Sequence, residues 1–433
     1  MKTLIAGLTV SLAAATVLAQ SPAAQSPVVV LHAARMLDVD AGKIIAPAEV
    51  RIQGERIVAI GTSIAHPAGA KLIDLGDTTL LPGLIDAHVH LFLHPGAEDL
   101  QTVEESVPQR TLVAADAARL DLLAGFTAER DMGTEGAGCA DVAVRDAINS
   151  GLIPGPRMRV SCNAIDLLGG HEDAIGYNPA QHVLSNADYA NSADQLVEVI
   201  RQQRKDGADF TKIYETGKDS IHDNIFTSPY QYTEAQLAAA VAEATRTGGT
   251  LASGRGVAVH ATGEPGTGYA VAAGVASVDH AYQLNEATMK FMRDKQIYAV
   301  PTFAIAEYFG DHADTPERAT RERAQQAFHA AEFKKQIAAG VPFAVGSDVG
   351  PFPHGTQSRE FELMVQYGMK PADVLRADLI NGAKLLGWSG QIGELKPGYY
   401  ADIIAVPGNP LEDITTLRKV TFVMKNGAVI KQQ

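Results

Sequence analysis

Between residues 81 and 395, about eight short apolar runs alternate with amphipathic helical stretches, and this rhythm constrains the fold more than any other feature of the chain. Typical runs are GLIDAHVHL, FTKIYE, GVAVHATG and PFAVGSD, and typical helical stretches are SADQLVEVIRQQRKDGA and TEAQLAAAVAEATRTG. Strands that alternate with helices form a parallel sheet, because each helix returns the chain to the starting edge of the sheet. About eight such units predict an α/β fold closed into a (β/α)8 TIM-like barrel. An open doubly wound sheet is the alternative, but no GxGxxG motif follows an early strand.

The two ends of the chain carry short strands that are separated by turn signals. VVVLHAARML and AEVRIQGERIVAIG alternate apolar and polar residues near the start, and VTFVMKNGAVIKQ does so near the end, with Asn426-Gly427 as a hairpin turn. Because both ends share this pattern and flank the long middle, we predict that they pair into one small β-sandwich domain. The predicted bounds are residues 20–80 and 395–433 for the small domain and residues 81–394 for the barrel.

The first residues have the pattern of a secretory signal peptide. Lys2 gives a positive start, residues 4–18 form an apolar run, and small residues follow, so we predict cleavage after Ala19 and a signal peptide at residues 1–19. An uncleaved membrane anchor is the alternative, but the apolar run is short for a span across a bilayer. We therefore expect a periplasmic or secreted protein that is not held in a membrane after cleavage.

Charge and cysteine content exclude some classes of function. The formal net charge of −14 and the lack of a basic stripe make nucleic acid a poor partner. Two cysteines, Cys139 and Cys162, without a CxxC spacing exclude a structural zinc finger. An exported protein can join such a pair in one disulfide, but we expect two buried free thiols, because buried free cysteines are common.

Polar side chains stand where several of the predicted strands end. His88 and His90 close the first run, and because alternate strand residues point the same way, their imidazoles project into one space. His260, His280 and Asp348 end three later runs. In a barrel, the carboxyl ends of the strands meet on one face. Imidazole nitrogens and a carboxylate oxygen suit zinc and similar divalent ions, so the set predicts a catalytic metal site.

Lys212 lies within the apolar strand FTKIY, where an unpaired charge would be costly to bury. A nearby carboxylate would resolve this, and so would carboxylation of the amine by CO₂, which creates an anion able to bridge two metals. The residues alone do not decide between the two. Arg130 and Asp131 in TAERDMG are interpreted as a structural ion pair below the metals.

The run LPGLIDAHVH at residues 81–90 resembles the signature of the amidohydrolase superfamily. The later pieces follow in that family's order, with a strand lysine, two separate strand-end histidines and an aspartate, then NGAKLLG and IGELKPGYYADIIAV. The likeness covers nearly the whole mature chain. GGHED, GADFTK and PHG further resemble the exported Xaa-Pro dipeptidase and imidazolonepropionase-related branch. That branch includes dipeptidases, carboxypeptidases and an amidase that splits ochratoxin A.

The resemblance implies two divalent metal ions, with zinc as the first choice, and six side chains that hold them: His88, His90, Lys212, His260, His280 and Asp348. Asp348 would join the histidine pair of the first strand on one ion, and the two later histidines would bind the other. Lys212, N6-carboxylated, would bridge both ions. A hydroxide between the ions would attack the scissile carbonyl, with Asp348 as general base and then general acid.

Three further residues are candidates for substrate binding. His171 lies in a Gly-rich loop, Tyr214 stands two residues beyond the strand lysine, and His354 lies in a Pro/Gly loop. A local hydrogen bond is the alternative for each histidine, and packing against the next helix is the alternative for the tyrosine. The stretch TGGTLASGRG and the pair Tyr214-Glu215 depart from the pattern of the branch near the pocket mouth. The substrate range therefore cannot be copied from relatives.

The sequence as a whole predicts a binuclear metal-dependent amidohydrolase with a small-molecule substrate, either a dipeptide or an N-acyl amino acid, including ochratoxin-like amides. A cyclic amide hydrolase of the imidazolonepropionase type is one alternative, and export argues against it because such catabolic steps are usually cytoplasmic. A non-catalytic binding protein on the same fold is the other, and the complete ligand set argues against it. A homo-oligomer is left open, since the sequence carries no interface signal.

Overall fold

The computed structural model describes residues 27–178, 180–222 and 225–433. The predicted signal peptide, residues 1–19, lies outside the described residues. No helix in the described part of the chain is both long and apolar enough to cross a membrane.

Strands and helices are numbered here in chain order. The strands are β1 (Val28–Ala33), β2 (Arg35–Asp38), β3 (Lys43–Ile45), β4 (Ala48–Gln53), β5 (Arg56–Gly61), β6 (Lys71–Asp74), β7 (Thr78–Pro82), β8 (Leu84–Val89), β9 (Phe126–Asp131), β10 (Arg157–Val160), β11 (Ile165–Asp166), β12 (Asp188–Tyr189), β13 (Thr211–Tyr214), β14 (Ser220–His222), β15 (Ile225–Thr227), β16 (Val257–Ala261), β17 (Ser277–His280), β18 (Tyr298–Val300), β19 (Ile403–Pro407), β20 (Phe422–Lys425) and β21 (Ala428–Gln432). The α-helices are α1 (Glu98–Glu104), α2 (Val107–Ala124), α3 (Ala140–Asn149), α4 (Ala193–Asp206), α5 (Glu234–Arg246), α6 (Gly266–Ala273), α7 (Glu286–Lys295), α8 (Phe303–Asp311), α9 (Pro316–Ala339), α10 (Arg359–Gln366), α11 (Pro371–Arg376) and α12 (Gly382–Leu385). Short 3-10 helices lie at Leu251–Ser253 and Ile414–Arg418, and a π-helical segment lies at Ala377–Asn381.

Strands from both ends of the chain build two sheets. One sheet has the order β5-β4-β1-β6, and the other has the order β21-β20-β19-β7-β2-β3. β19 pairs antiparallel with β7, so the C-terminal strands continue a sheet that the N-terminal strands begin. Leu31 and Ile52 from the first sheet share one cluster of buried side chains with Ile403 and Phe422 from the second. Strands from the two ends of the chain therefore pair in one sheet.

The middle of the chain holds two parallel sheets, with the strand orders β10-β9-β8 and β12-β11-β13-β16-β17-β18. The segment 343–349 lies between their edges, because Phe343 forms a parallel bridge with Ala299 beside β18 and Val349 forms one with Val89 of β8. Every residue of β8, β13, β16 and β17 is buried. Parallel strands covered on both faces have this composition, so the α/β architecture expected from the alternation of strands and helices is confirmed.

Glycine is required at two positions beside the strands that carry the polar residues, at one by backbone conformation and at the other by a close contact. Gly207 ends α4 with φ 109°, a left-handed conformation that glycine adopts without strain, and β13 begins shortly after it. Gly346 lies against β8, where an added Cβ would stand 2.8 Å from the Cβ of His88. A side chain at position 346 would push the segment 343–349 away from β8, and Asp348 with it.

Cys139 and Cys162 form a disulfide. Cys139 directly precedes α3 and Cys162 follows β10, so the bond ties the loop after β9 to the loop after β10. The expectation of two free thiols is therefore wrong. It failed because the loops that follow adjacent parallel strands meet in space, and nothing in the spacing of two cysteines reveals which strands are adjacent.

Removing this disulfide is expected to lower the free energy of unfolding. The bond joins residues separated by 23 positions, and a closed loop of that length restricts the unfolded chain enough to contribute about 3 kcal/mol. We expect the Cys139→Ser, Cys162→Ser double variant to unfold at lower urea concentration than the wild type. Reductant should shift the wild type to the same midpoint and leave the double variant unmoved. Equal midpoints for the oxidised wild type and the variant would contradict the prediction.

Candidate active site

Three of the sequence-predicted residues converge on one point. His88 and His90 lie at the end of β8, and Asp348 lies in the segment that packs beside it. The Nε2 atoms of the two histidines are 3.3 Å apart. Asp348 Oδ1 lies 3.3 Å from Nε2 of His88 and 3.4 Å from Nε2 of His90. One ligand atom from each residue falls within 4.8 Å of the others, which is the spacing of groups that share a metal ion.

The main chain at Asp348 holds this carboxylate in place. Asp348 has φ 62°, a left-handed conformation that is uncommon outside glycine and that clusters at functional sites. Its amide N–H donates to the carbonyl of His88 at 2.8 Å, which fixes the segment against β8. Burial opposes ionisation of Asp348, but His88 and His90 outweigh it and hold the pKa of this carboxyl well below its usual range. The side chain is ionised and 15% exposed, whereas that of His88 is 1% exposed.

His260 and His280 lie beside this group on β16 and β17. Their ring centroids are 4.4 Å apart, and the centroid of His280 is 5.1 Å from that of His88. His280 Nδ1 lies 2.7 Å from Thr302 Oγ1 and 3.9 Å from Asp348 Oδ2. His260 Nε2 is buried without a hydrogen-bond partner among the described residues. Burial holds the pKa of both histidines well below its ordinary value, so both rings are neutral and keep a lone pair for a ligand.

Lys212 extends from β13 into the same interior and is 1% exposed. Its Nζ has no hydrogen-bond partner in the part of the chain that the structure describes. The carboxylate oxygen Oδ2 of Asp279 lies 4.0 Å from this nitrogen. Burial lowers the pKa of this amine. A buried amine without a hydrogen-bond partner among the described residues fits a lysine that carries a further group on Nζ.

Asp279 was not singled out in the sequence, although it connects several of these residues. Its Oδ2 lies 3.3 Å from His88 Nδ1, and its Oδ1 accepts from Arg130 Nη2 at 3.3 Å. Arg130 also donates through Nε to the carbonyl of Ala87. The predicted ion pair between Arg130 and Asp131 is therefore corrected to a pair between Arg130 and Asp279. Neighbouring residues of a strand point to opposite faces, so Arg130 and Asp131 do not meet.

His171 and Tyr214 stand together on the other side of His260. The rings of His171 and Tyr214 are stacked, with centroids 5.1 Å apart and planes inclined by 9°. The centroid of His171 lies 4.1 Å from that of His260. Burial lowers the pKa of His171 to about 4, so this ring is neutral near pH 7. The structure thus brings two of the three predicted substrate-binding residues next to the histidine cluster.

His354, the third predicted substrate-binding residue, pairs with a carboxylate of helix α2. Its Nδ1 is 2.7 Å from Asp121 Oδ2, a carboxylate of α2, and both side chains are buried. The amide of Gly355 donates to the other oxygen of Asp121 at 2.8 Å. This pairing is the local structural role that the sequence left as the alternative. The predicted contact of His354 with a substrate carboxylate stays a prediction.

Glu135 is a second buried residue near the site that the sequence did not reveal. Its Oε1 lies 3.0 Å from Nδ1 of His90. It follows β9 in the Gly-rich stretch GTEGAG, which has no apolar or metal-binding pattern to mark it. Only the fold brings that stretch to the end of β8.

The donor set fits divalent metal ions. It combines four imidazole rings, an ionised carboxylate, and two buried nitrogen atoms, on Lys212 and His260, that make no hydrogen bond within the described residues. Buried polar atoms are nearly always satisfied in folded proteins, so atoms without partners that face one cluster point to a bound group. Sites with three nitrogen or oxygen ligands and residual exposure are typical of catalytic rather than structural zinc.

Comparisons with known proteins give a consistent result. The model of the Amidohydrolase family matches residues 79–430. The ochratoxinase of Aspergillus niger is 30% identical over 383 residues, a match that covers 81% of this chain and 75% of that protein. The imidazolonepropionase of Streptomyces avermitilis is 24% identical over 371 residues, covering 83% of this chain and 80% of that protein. A crystal structure of a Xaa-Pro dipeptidase with bound methionine in the active site is 30% identical, with a TM-score of 0.83, and covers 93% of this chain and 100% of that chain.

Proposed function

The chain belongs to the amidohydrolase family, and from this premise we propose that it is a binuclear metal-dependent hydrolase that cleaves the amide bond of dipeptides or N-acyl amino acids. The resemblance found in the sequence is confirmed by the family match and by these relatives. The observation that carries the proposal is the convergence of His88, His90 and Asp348 within 4.8 Å. A small molecule is the expected substrate.

The proposed architecture is a closed (β/α)8 barrel at residues 81–394 with a β-sandwich built from residues 20–80 and 395–433. Support for closure comes from the segment 343–349, which bridges β8 and β18 at the edges of the two parallel sheets. Support for the sandwich comes from the buried cluster shared by the two terminal sheets. We further propose that residues 1–19 are a cleaved signal peptide and that the mature protein is periplasmic or secreted.

The proposed metal ligands are the six side chains of the sequence prediction, in two groups. His88, His90 and Asp348 would hold one divalent ion, and His260 and His280 would hold the other. Lys212, carboxylated on Nζ, would contact both. Zinc is the first choice, since imidazole and carboxylate ligands without thiolate suit it. Bound there, the ions would supply a nucleophilic water near neutral pH and would polarise the scissile carbonyl.

Other steps of the proposed reaction, namely proton transfer, substrate binding and donation to an oxyanion, are assigned to side chains of the protein. Asp348 is ionised and partly exposed, so it can accept a proton from the nucleophilic water and pass it to the leaving nitrogen. The stacked rings of His171 and Tyr214 would form a wall for the substrate beside His260. The Tyr214 hydroxyl, whose pKa burial raises well above its usual value, keeps its proton and can donate it to a developing oxyanion.

The substrate class follows from the relatives and from the site together. An ochratoxinase and a Xaa-Pro dipeptidase that holds methionine in its active site are among the similar proteins. The name of the second indicates a peptide bond between amino acids, and this supports an amide of an amino acid as the substrate. The similarity to an imidazolonepropionase favours hydrolysis of a cyclic amide as the second candidate function. Assays on these two substrate classes separate the candidates directly.

Removing divalent metal is expected to abolish hydrolysis, and adding zinc is expected to restore it. The purified protein should be treated with chelator, dialysed, and tested on N-acyl amino acids, Xaa-Pro dipeptides and cyclic amides before and after addition of Zn²⁺. Restoration on the first two classes alone supports the proposal, and restoration on cyclic amides alone favours the second candidate. A protein that binds the amides without cleaving them would be a binding protein instead. Activity that survives complete chelation would contradict metal dependence.

A further inference from the structure

The two ring nitrogens of His90 face different partners. Nε2 points into the proposed metal site, 3.3 Å from Nε2 of His88 and 3.4 Å from Asp348 Oδ1. Nδ1 points away from it and lies 3.0 Å from Glu135 Oε1 and 3.2 Å from the carbonyl oxygen of Gly133. Both neighbours of Nδ1 are acceptors. The proton of a neutral His90 ring therefore belongs on Nδ1, which leaves the lone pair of Nε2 for the metal.

Glu135 is held where it is by its main chain. Thr102 Oγ1 donates to its carbonyl at 2.8 Å, and Arg110 donates to the same oxygen. The residue has φ 48°, a left-handed conformation that glutamate adopts only when its surroundings impose it. The hydrogen bonds from Thr102 and Arg110 hold the backbone of Glu135 in this strained conformation. The carboxylate is 3% exposed, so it does not serve as a surface charge.

The loop that carries Glu135 is itself tied to the loop that follows the next strand, β10. Asn163 Oδ1 accepts from Thr134 Oγ1 at 2.6 Å and from the amides of Gly136 and Gly138 at 3.2 and 3.1 Å. The disulfide of Cys139 joins the end of this loop to the loop after β10. A side chain on a loop fixed at so many points keeps its position relative to β8.

The same carboxylate oxygen of Glu135 also contacts Tyr214, one of the two rings proposed to bind the substrate. The hydroxyl of Tyr214 donates to Glu135 Oε1 at 3.4 Å. Glu135 therefore lies between a proposed metal ligand and a proposed oxyanion donor.

We propose that Glu135 is a positioning residue that fixes the Nδ1-protonated tautomer of His90. The inference rests on the proposed function to the extent that His90 holds a divalent ion. Carboxylates behind metal-binding imidazoles set the orientation and basicity of the ring, and their loss typically weakens metal binding by about 10- to 100-fold.

The test measures metal binding directly, without an assay of hydrolysis. Metal-free wild type and the variants Glu135→Ala and Glu135→Gln are titrated with Zn²⁺ in competition with a chromophoric chelator, and the visible spectrum is recorded after loading with Co²⁺. We expect zinc affinity to fall by about 10- to 100-fold in Glu135→Ala. Glu135→Gln keeps an acceptor oxygen for Nδ1 and is expected to recover most of that loss. The Co²⁺ spectrum should change in the alanine variant because the ring of His90 is no longer held.

Glu49 provides a matched control far from the site. Its Oε1 lies 3.1 Å from Nε2 of His66 in the sheet that contains β4, so Glu49→Gln makes the same change to a buried glutamate that contacts a histidine. We expect Glu49→Gln to bind zinc like the wild type. Kinetics add a second comparison: we expect kcat to fall in Glu135→Ala, whereas KM for the N-acyl amino acid or dipeptide stays that of the wild type.

The outcomes separate this inference from the proposed function. A wild type that takes up zinc and a Glu135→Ala variant that binds it with the same affinity and the same Co²⁺ spectrum would overturn the positioning role alone. A wild type that takes up no divalent ion would overturn both proposals. Weakened binding in Glu135→Ala with recovery in Glu135→Gln supports the inference whatever amide the protein cleaves.

Discussion

An Asp348→Asn variant is expected to hydrolyse its substrate about a hundred to ten thousand times more slowly than the wild type, the usual contribution of a positioned acid or base. Asparagine keeps an oxygen that can contact a metal ion but has no group that accepts a proton near neutral pH. The ionised carboxylate that lies 3.3 Å from His88 Nε2 is therefore lost as a proton carrier, whereas the contacts of the backbone at this position remain. Steady-state kcat of metal-loaded protein, with metal content measured on the same sample, checks this.

Asp378→Asn is a matched control for that change. Asp378 is fully buried and accepts from the amide of Ile85 at 3.1 Å, and burial raises its pKa well above the usual value. Its carboxyl group is already neutral, so an amide in its place should leave kcat close to that of the wild type. Near-normal turnover by a metal-replete Asp348→Asn protein would rule out the proton-transfer role.

A Lys212→Met variant is expected to lose more than about a thousandfold in kcat/KM, which corresponds to about 4 kcal/mol of transition-state stabilisation. The reason is the loss of the ligand proposed to contact both metal ions. The same change removes a buried amine that has no hydrogen-bond partner within the described residues, so the metal-free variant should be at least as stable to urea as the metal-free wild type. Activity and stability are thus expected to move in opposite directions.

Lys425→Met serves as the control for the lysine substitution. Lys425 is also largely buried, with its pKa lowered to about 8 mainly by burial, and it donates to the carbonyl of Gly155 away from the site. We expect the Lys425→Met variant to have the same kcat/KM as the wild type. Carbon-13 NMR of wild type equilibrated with labelled bicarbonate should show a carbamate signal that Lys212→Met lacks. Full activity with two ions bound in Lys212→Met would contradict the bridging role.

The alternation of apolar runs and helices was sufficient to predict an α/β architecture, because periodicity is a local property of the sequence. The HxH pair was similarly accessible, since two histidines with one residue between them share a face of any strand. His88, His90 and Asp348 do meet, as the strand-end argument required. Histidine and aspartate at the ends of apolar runs are unusual enough to be noticed without a structure.

The residues that the sequence did not reveal share a physical cause. Asp279 and Glu135 act through contacts with β8 that depend on which strands are neighbours, and no local pattern encodes this neighbour order. The disulfide between Cys139 and Cys162 was missed for the same reason. The Pro/Gly loop around His354 predicts a substrate contact, but Asp121, the partner of His354, lies on a helix far away in sequence. Contacts between residues that are distant in the sequence could be identified only from the structure.

Because a disulfide joins the loops after β9 and β10, the compartment in which the protein is made is expected to affect how tightly it holds metal. Material produced in a reducing cytoplasm lacks the bond that anchors the segment with Glu135, whereas material matured under oxidising conditions has it. Batches of identical sequence would then differ in how tightly they retain zinc through purification. Thiol content should be measured alongside metal content before specific activities from different hosts are compared.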